Sequence, residues 1–252
     1  MSRNLKLVVA YDGTDFNGWQ VQPGLPTIQG TLAECITRIT GEDVLPQGSG
    51  RTDAGVHALG QVVTFSTESA IPAAGLAIAL NDRLPAAIRV MSAEEVAKEF
   101  HARKSAHAKT YRYRIYRGDI CSPFVARYVY HHPYPLDEVA MAEAATMVVG
   151  EYDFTSFAAV DPERGRENET PSNVRTIYQS AWERAGDEFS YEVRGSGFLH
   201  HMVRNLVGTF VLVGKRTLKP KDVLRIIEAR SRSANPGATA PATGLCLVSV
   251  EY

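Results

Sequence analysis

The sequence predicts an α+β fold made of two halves, each of which follows the order β-α-β-β-α-β. Three observations lead to this expectation. Apolar stretches of strand length alternate with amphipathic stretches of helix length. Glycines fall where the helices should end. The second half of the chain also repeats the order of the first with longer connections.

Residues 1–104 form the predicted first half. Its elements are a strand at Leu5–Tyr11, a helix from Thr27 to about Thr40 that Gly41 ends, strands at Val44–Leu45 and Gln61–Phe65, a helix at Ile71–Leu80 and a strand at Ile88–Val90. This order is that of a ferredoxin-like unit.

Residues 105–252 form the predicted second half. Its elements are a strand at Thr110–Tyr116, a helix at Leu136–Val149 closed by Gly150, strands at Val174–Arg184 and Phe189–Arg194, a helix at Leu199–Val213 and a last strand at Leu245–Tyr252. Two such halves can join edge to edge into one curved, mostly antiparallel sheet with helices on one side and a central basic cleft. Residues 161–171 are rich in charge and turn formers, and we expect a surface loop there.

Composition excludes several classes of protein. The 252 residues allow one large or two small domains, and no apolar stretch has membrane-spanning length. The start of the chain lacks a secretory signal, so we expect a cytoplasmic protein without a membrane partner. The three cysteines are widely spaced and the histidine pairs lack ligand spacing, so no structural metal is expected.

The loop from Gly48 to Ala58 sets a carboxylate, Asp53, between small residues, with Arg51 two positions ahead of it. Small residues allow a ligand to approach the backbone closely, which makes Asp53 a candidate for chemistry. An ordinary turn or helix cap has the same composition and remains the alternative. Asp53 occupies the position where a dinucleotide-binding loop needs its third glycine, and no phosphate-binding P-loop occurs, so no nucleotide cofactor is expected.

Arg204 lies on the predicted helix near the end of the chain. The apolar residues of this helix form one stripe, whereas His201, Arg204, Asn205 and Gly208 fall together on another side. An arginine flanked by so much apolar surface needs an acidic partner, because burying an unpaired charge is costly. That partner is either a structural acid or Asp53.

A run of basic residues lies between residues 98 and 117, and in Thr110–Tyr116 it alternates with tyrosines. The period of two places Tyr111, Tyr113 and Ile115 on one face of the strand. These tyrosines are either core residues or platforms on which a nucleic-acid base could stack. The net charge of −1 argues against a general polyanion binder, so the local distribution of charge matters more.

Seven ordered blocks along nearly the whole chain resemble the tRNA pseudouridine synthase A family. They are Phe16–Gln20, Gly50–Ala58, Phe100–Arg103, Tyr111–Tyr113, Tyr152–Phe157, His200–Asn205 and Gly244–Leu245. The resemblance implies isomerisation of uridine to pseudouridine at positions 38, 39 and 40 in the anticodon stem-loop of tRNA. It also implies this two-half architecture, a homodimer and no cofactor.

The resemblance also implies roles for individual residues. Asp53 matches the catalytic aspartate, Tyr111 the tyrosine that packs on the uracil, and Arg204 the basic residue paired with the aspartate. Arg51 matches an arginine thought to assist base flipping. With a tRNA substrate, Arg103, Lys104 and Lys109 become candidate phosphate contacts.

Two other functions stay open at this point. Ferredoxin-like sheets with basic and aromatic residues also serve as non-catalytic RNA platforms. A metal-dependent hydrolase built on the histidines is the third possibility. For the enzyme, the residues leave open whether Asp53 attacks the ribose C1′, attacks the uracil C6, or assists loss of a ribose proton to form a glycal.

Overall fold

The computed structural model describes residues 2–160 and 172–252, so the loop predicted over 161–171 lies outside the described residues. The strands are β1 (Arg3–Tyr11), β2 (Gln47–Gly48), β3 (His57–Thr67), β4 (Ile88–Val96), β5 (Ala108–Tyr116), β6 (Tyr130–His131), β7 (Gly150–Asp153), β8 (Val174–Ala185), β9 (Glu188–Gly195) and β10 (Leu245–Glu251). The helices are α1 (Ile28–Thr40), α2 (Ala73–Arg83), α3 (Pro123–Ala126), α4 (Glu138–Thr146), α5 (Met202–Gly214) and α6 (Asp222–Glu228). Within those residues no helix combines the length and apolar character of a membrane-spanning segment.

The chain divides into two compact units, Met1–Lys109 with Cys246–Tyr252, and Thr110–Leu245. The predicted boundary between the halves, after residue 104, lies slightly before Lys109, where the first segment of the first unit ends. The predicted second half also included the last strand, whereas residues 246–252 group with the first unit. They do so because β10 runs parallel to β3, with Cys246 opposite His57. Local sequence patterns do not encode such a long-range pairing.

The sheet of the first unit is centred on β1, which pairs antiparallel with both β3 and β4. β2 pairs antiparallel with β3, so these four strands have the order of a split β-α-β unit. The predicted strand at Val44–Leu45 is wrong in position, because the residues that pair with β3 are Gln47 and Gly48. This shift places the end of β2 directly before the Asp53 loop. The predicted α+β class is confirmed.

The core of the first unit follows from simple periodicities. Alternate residues of β1, including Leu5, Leu7 and Val9, are fully buried. The Thr27 side chain caps the start of α1 by accepting a hydrogen bond from the Gly30 N–H, and Gly41 ends the helix with φ of 77°. The helix predicted here is confirmed.

In the second unit the strands have the order β5-β9-β8-β7, and β6 pairs in parallel with β5. The predicted helix at Leu136–Val149 is too long, because α4 ends at Thr146 and Gly150, with φ of 124°, begins β7. The helix predicted to begin at Leu199 starts at Met202. α4 packs against α5 and β8 and so covers the sheet of this unit.

Candidate active site

The Asp53 loop, residues 49–56, connects β2 to β3 in the first unit. The N–H of Val56 donates to the carbonyl of Asp53 across 3.1 Å, which closes a tight turn that begins at Asp53. Gly55, inside this turn, has φ of 77°, a region that favours glycine. Asp53 is half-buried and Ala54 beside it is exposed. The sequence therefore holds a carboxylate at the bend of a fixed turn.

The segment that follows β1 braces this loop through its backbone. The N–H of Trp19 donates to the carbonyl of Thr52 across 3.0 Å. A Cβ on Gly13 would lie 2.0 Å from the carbonyl oxygen of Val56, so only glycine allows this approach. Both sides of Asp53 are thereby tied to the same neighbouring segment.

The inner side of the loop rests on a buried polar network around Gln61. The Gln61 Oε1 accepts a hydrogen bond from the Ser49 hydroxyl at 2.6 Å, and its Nε2 donates to the Gly50 carbonyl at 2.9 Å. The same Nε2 lies 3.5 Å from the Tyr11 hydroxyl, which is 2.8 Å from the Thr52 hydroxyl. Burial raises the pKa of the Tyr11 phenol well above its ordinary value, so this hydroxyl stays neutral.

Arg51, the residue two positions before Asp53, is exposed, and its Nε donates to the side chain of Gln20 across 2.8 Å. A guanidinium presents its donors in a planar fork that can bind more than one acceptor. The position suits a side chain that acts on a molecule arriving from solvent.

The three predicted phosphate contacts differ in their surroundings. Arg103 and Lys104 are exposed, and their backbone N–H groups donate to the ring of His101. Lys109 is only partly exposed, and its Nζ donates to the carbonyl of Ser49 across 2.6 Å. Lys109 therefore supports the Asp53 loop, a contact that the sequence patterns did not indicate.

Tyr111, on β5 in the second unit, keeps 8% of its surface exposed and meets the ring of Phe198 edge-on, with centroids 5.1 Å apart. The predicted alternation along β5 is confirmed, because Tyr113 and Ile115 are buried on the same face. The hydroxyl of Tyr113 donates to the Pro241 carbonyl across 2.8 Å, and burial raises its pKa. Tyr113 is thus a core residue, whereas Tyr111 lies at the margin of the core.

Arg204, on the first turn of α5, is half-buried. Its Nε donates to the carbonyl of Ala240 across 2.8 Å, and the N–H of Ala240 donates back to the carbonyl of Arg204 across 3.1 Å. Asn205 and Gly208, which the sequence places on the same side of α5 as Arg204, are both buried. The segment around Ala238 covers them, and a Cβ on Gly208 would lie 1.8 Å from the Ala238 carbonyl oxygen.

The structure places Asp53 and Arg51 in the first unit, and Tyr111 and Arg204 in the second. The Asp53–Arg204 pair stays a prediction. Sequence patterns did not single out Gln61, although a signal was present. Gln61 lies on the same face of β3 as the buried Val63 and Phe65. It is therefore a polar side chain at a core position.

Comparison with known proteins places this chain in a family. The family model described as tRNA pseudouridine synthase matches residues 7–103 and 144–252. A relative from Solibacter usitatus, named tRNA pseudouridine synthase A, is 53% identical over 99% of this chain and 100% of its own length. Relatives with the same name from Moorella thermoacetica and Brevibacillus brevis are 47% and 45% identical over 98% and 99% of this chain, and cover 99% and 100% of their own lengths. A solved Cbf5-Nop10-Gar1 complex aligns with 13% identity over 82% of this chain and 54% of the solved chain, and its TM-score of 0.31 is too low to indicate a shared fold.

The fold is α+β, and the similarity to these proteins extends along nearly the whole chain. The chain belongs to the tRNA pseudouridine synthase family.

Proposed function

We propose that this protein is an isomerase that converts uridine to pseudouridine at positions 38, 39 and 40 in the anticodon stem-loop of tRNA. The observation that carries the proposal is the 53% identity, over 99% of the chain, to a protein named tRNA pseudouridine synthase A. The braced turn at Asp53 supports it, because catalysis needs a carboxylate held in a fixed position.

The proposed reaction is balanced without an oxidant or a reductant. The N1–C1′ bond of uridine breaks and a C5–C1′ bond forms, while the proton on C5 is lost and N1 gains one. Asp53 is the proposed nucleophile or base, by attack on C1′, by attack on C6, or by removal of a ribose proton. No cofactor is needed for any of these routes.

Three other residues have proposed roles around Asp53. Tyr111 packs against the uracil, and its position at the margin of the core supports this role because 8% of its surface stays exposed. Arg204 pairs with Asp53 and fixes the direction of its carboxylate. Arg51, exposed beside Asp53, enters the space that the target base vacates, which offsets part of the cost of unstacking.

The partner is tRNA, for which Arg103 and Lys104 offer exposed cationic side chains. Lys109 remains a proposed RNA contact, although its bond to Ser49 favours a supporting role. The homodimer, the cytoplasmic location, and the curved sheet with a central basic cleft also remain predictions.

The experiment is to incubate the protein with unmodified tRNA, without added cofactor and with a chelator, and to map pseudouridine. We expect product at positions 38, 39 and 40, and none in a tRNA with cytidine at all three. Bound tRNA without product would favour the non-catalytic RNA-binding function. Pseudouridine formed equally with and without the chelator would remove the metal-dependent alternative.

A further inference from the structure

We propose that Gln61 is the positioning residue that fixes the Asp53 loop in its reactive conformation. This inference rests on the proposed function, because it concerns the same reaction. It adds a residue from β3 that lies outside the loop and that has no direct role in the chemistry.

One amide reaches three of the four residues that precede Asp53. It bonds the Ser49 hydroxyl and the Gly50 carbonyl directly, and it reaches Thr52 through the hydroxyl of Tyr11. Gln61 is fully buried, so water does not compete for these bonds. β3 is paired on both edges with other strands of the unit, which makes it a rigid base for the side chain.

The network requires an amide because it needs an acceptor and a donor on the same short side chain. Methionine at position 61 has a similar length but would leave the Ser49 hydroxyl and the Gly50 carbonyl without this partner. An ionised glutamate could accept from Ser49, but it would repel the Gly50 carbonyl. Protonated glutamate would regain an O–H that can donate to Gly50, and burial raises the pKa of a carboxyl group.

The turn at Asp53 begins one residue after Thr52, so a shift of residues 49–52 moves the carboxylate directly. A displacement of about 1 Å at a reacting group can lower a rate by about 100-fold. Because the Gln61 amide bonds the loop and not the tRNA, the loss should fall on kcat rather than on KM.

The test compares Gln61→Met, Gln61→Glu and Ser49→Ala with a matched control, Gln29→Met. Gln29 is also a buried glutamine of the first unit, but it bonds the Val21 N–H and the Pro46 carbonyl rather than the Asp53 loop. Wild type and the four variants are assayed for pseudouridine formation on the same tRNA, with kcat and KM measured between pH 6 and pH 8.

We expect kcat of Gln61→Met to fall by about 10- to 100-fold with KM within about threefold of wild type. Ser49→Ala, which is less disruptive to folding, should show a smaller loss in kcat of the same type. Relative to wild type, Gln61→Glu should become more active as the pH falls, whereas the ratio for Gln61→Met should stay constant. Gln29→Met should keep the wild-type kcat.

Unchanged kcat in folded Gln61→Met, or an equal loss in Gln29→Met, would overturn the proposal. If Gln61→Met does not fold, an unchanged kcat in Ser49→Ala together with a flat pH ratio for Gln61→Glu would overturn it. A wild-type protein that forms no pseudouridine would instead reject the proposed function, so the two failures are distinguishable.

Discussion

Asp53 and Arg204 are held in place by different means. The Asp53 loop is braced by the backbone of the segment after β1 and, on its inner side, by the Gln61 amide, which bonds both a hydroxyl and a carbonyl of the loop. Arg204 is held through backbone, by reciprocal bonds with Ala240 and by the close approach that Gly208 allows. The Gln61 bonds can be removed by changing one side chain, whereas an added Cβ at Gly208 would require the backbone to move. The two regions should therefore fail differently when they are mutated.

The largest expected effect on stability comes from Gly208→Ala. The new Cβ would lie 1.8 Å from the Ala238 carbonyl oxygen, so backbone must move. We expect the free energy of unfolding to fall by about 3 kcal/mol, as for overpacked cores, and urea unfolding followed by circular dichroism measures it.

Gly75→Ala in α2 is the matched control for this change. Its Cβ would lie 3.7 Å from the nearest atom, the Ile71 side chain, so the substitution should stabilise the helix by about 0.5–1 kcal/mol. Equal free energies of unfolding for the two variants would show that the backbone near Gly208 moves to accommodate the new Cβ without loss of stability.

Arg204→Leu should remove activity. It should also lower the free energy of unfolding, but by less than Gly208→Ala does. The variant loses the charge-assisted bond to the Ala240 carbonyl, a contribution of about 1.5–3 kcal/mol. Loss of the proposed pairing would also leave Asp53 without its cation. Pseudouridine formation and urea unfolding are measured together, and a stable, fully active Arg204→Leu protein would refute the pairing.

A smaller effect is expected from His132. Lowering the pH should reduce the free energy of unfolding of the second unit through this residue. Burial, together with the charges of Lys215 and Arg117, lowers the pKa of His132 below its ordinary value. Its stabilising contribution is then complete above about pH 6.5 and is lost as the pH falls, because the unfolded chain binds more protons.

We expect His132→Asn to lose less stability than wild type between pH 7.5 and pH 5.5, as measured by the unfolding midpoint. The same slope in wild type and His132→Asn would contradict the prediction.

Local patterns predicted most of the fold because alternation and helix caps are short-range signals. β1, α1 and β5 lie where the sequence placed them. β2 was misplaced because it has only two residues and its position depends on the register with β3. The sequence predicts a helix end at Gly150, where β7 begins instead, because glycine permits positive φ in either setting. Asp53 is recognisable in the sequence as a carboxylate among small residues. Gln61 is not, because its contacts with the loop form only in the folded chain.

The proposed function requires that Asp53 carries out the reaction on a bound tRNA. The most direct test measures single-turnover pseudouridine formation and tRNA affinity for Asp53→Asn, with Asp82→Asn, an exposed acid on α2, as the control. We expect Asp53→Asn to bind tRNA within a few fold of wild type and to form no pseudouridine, while Asp82→Asn matches wild type. Retained turnover in Asp53→Asn would show that Asp53 does not carry out the reaction.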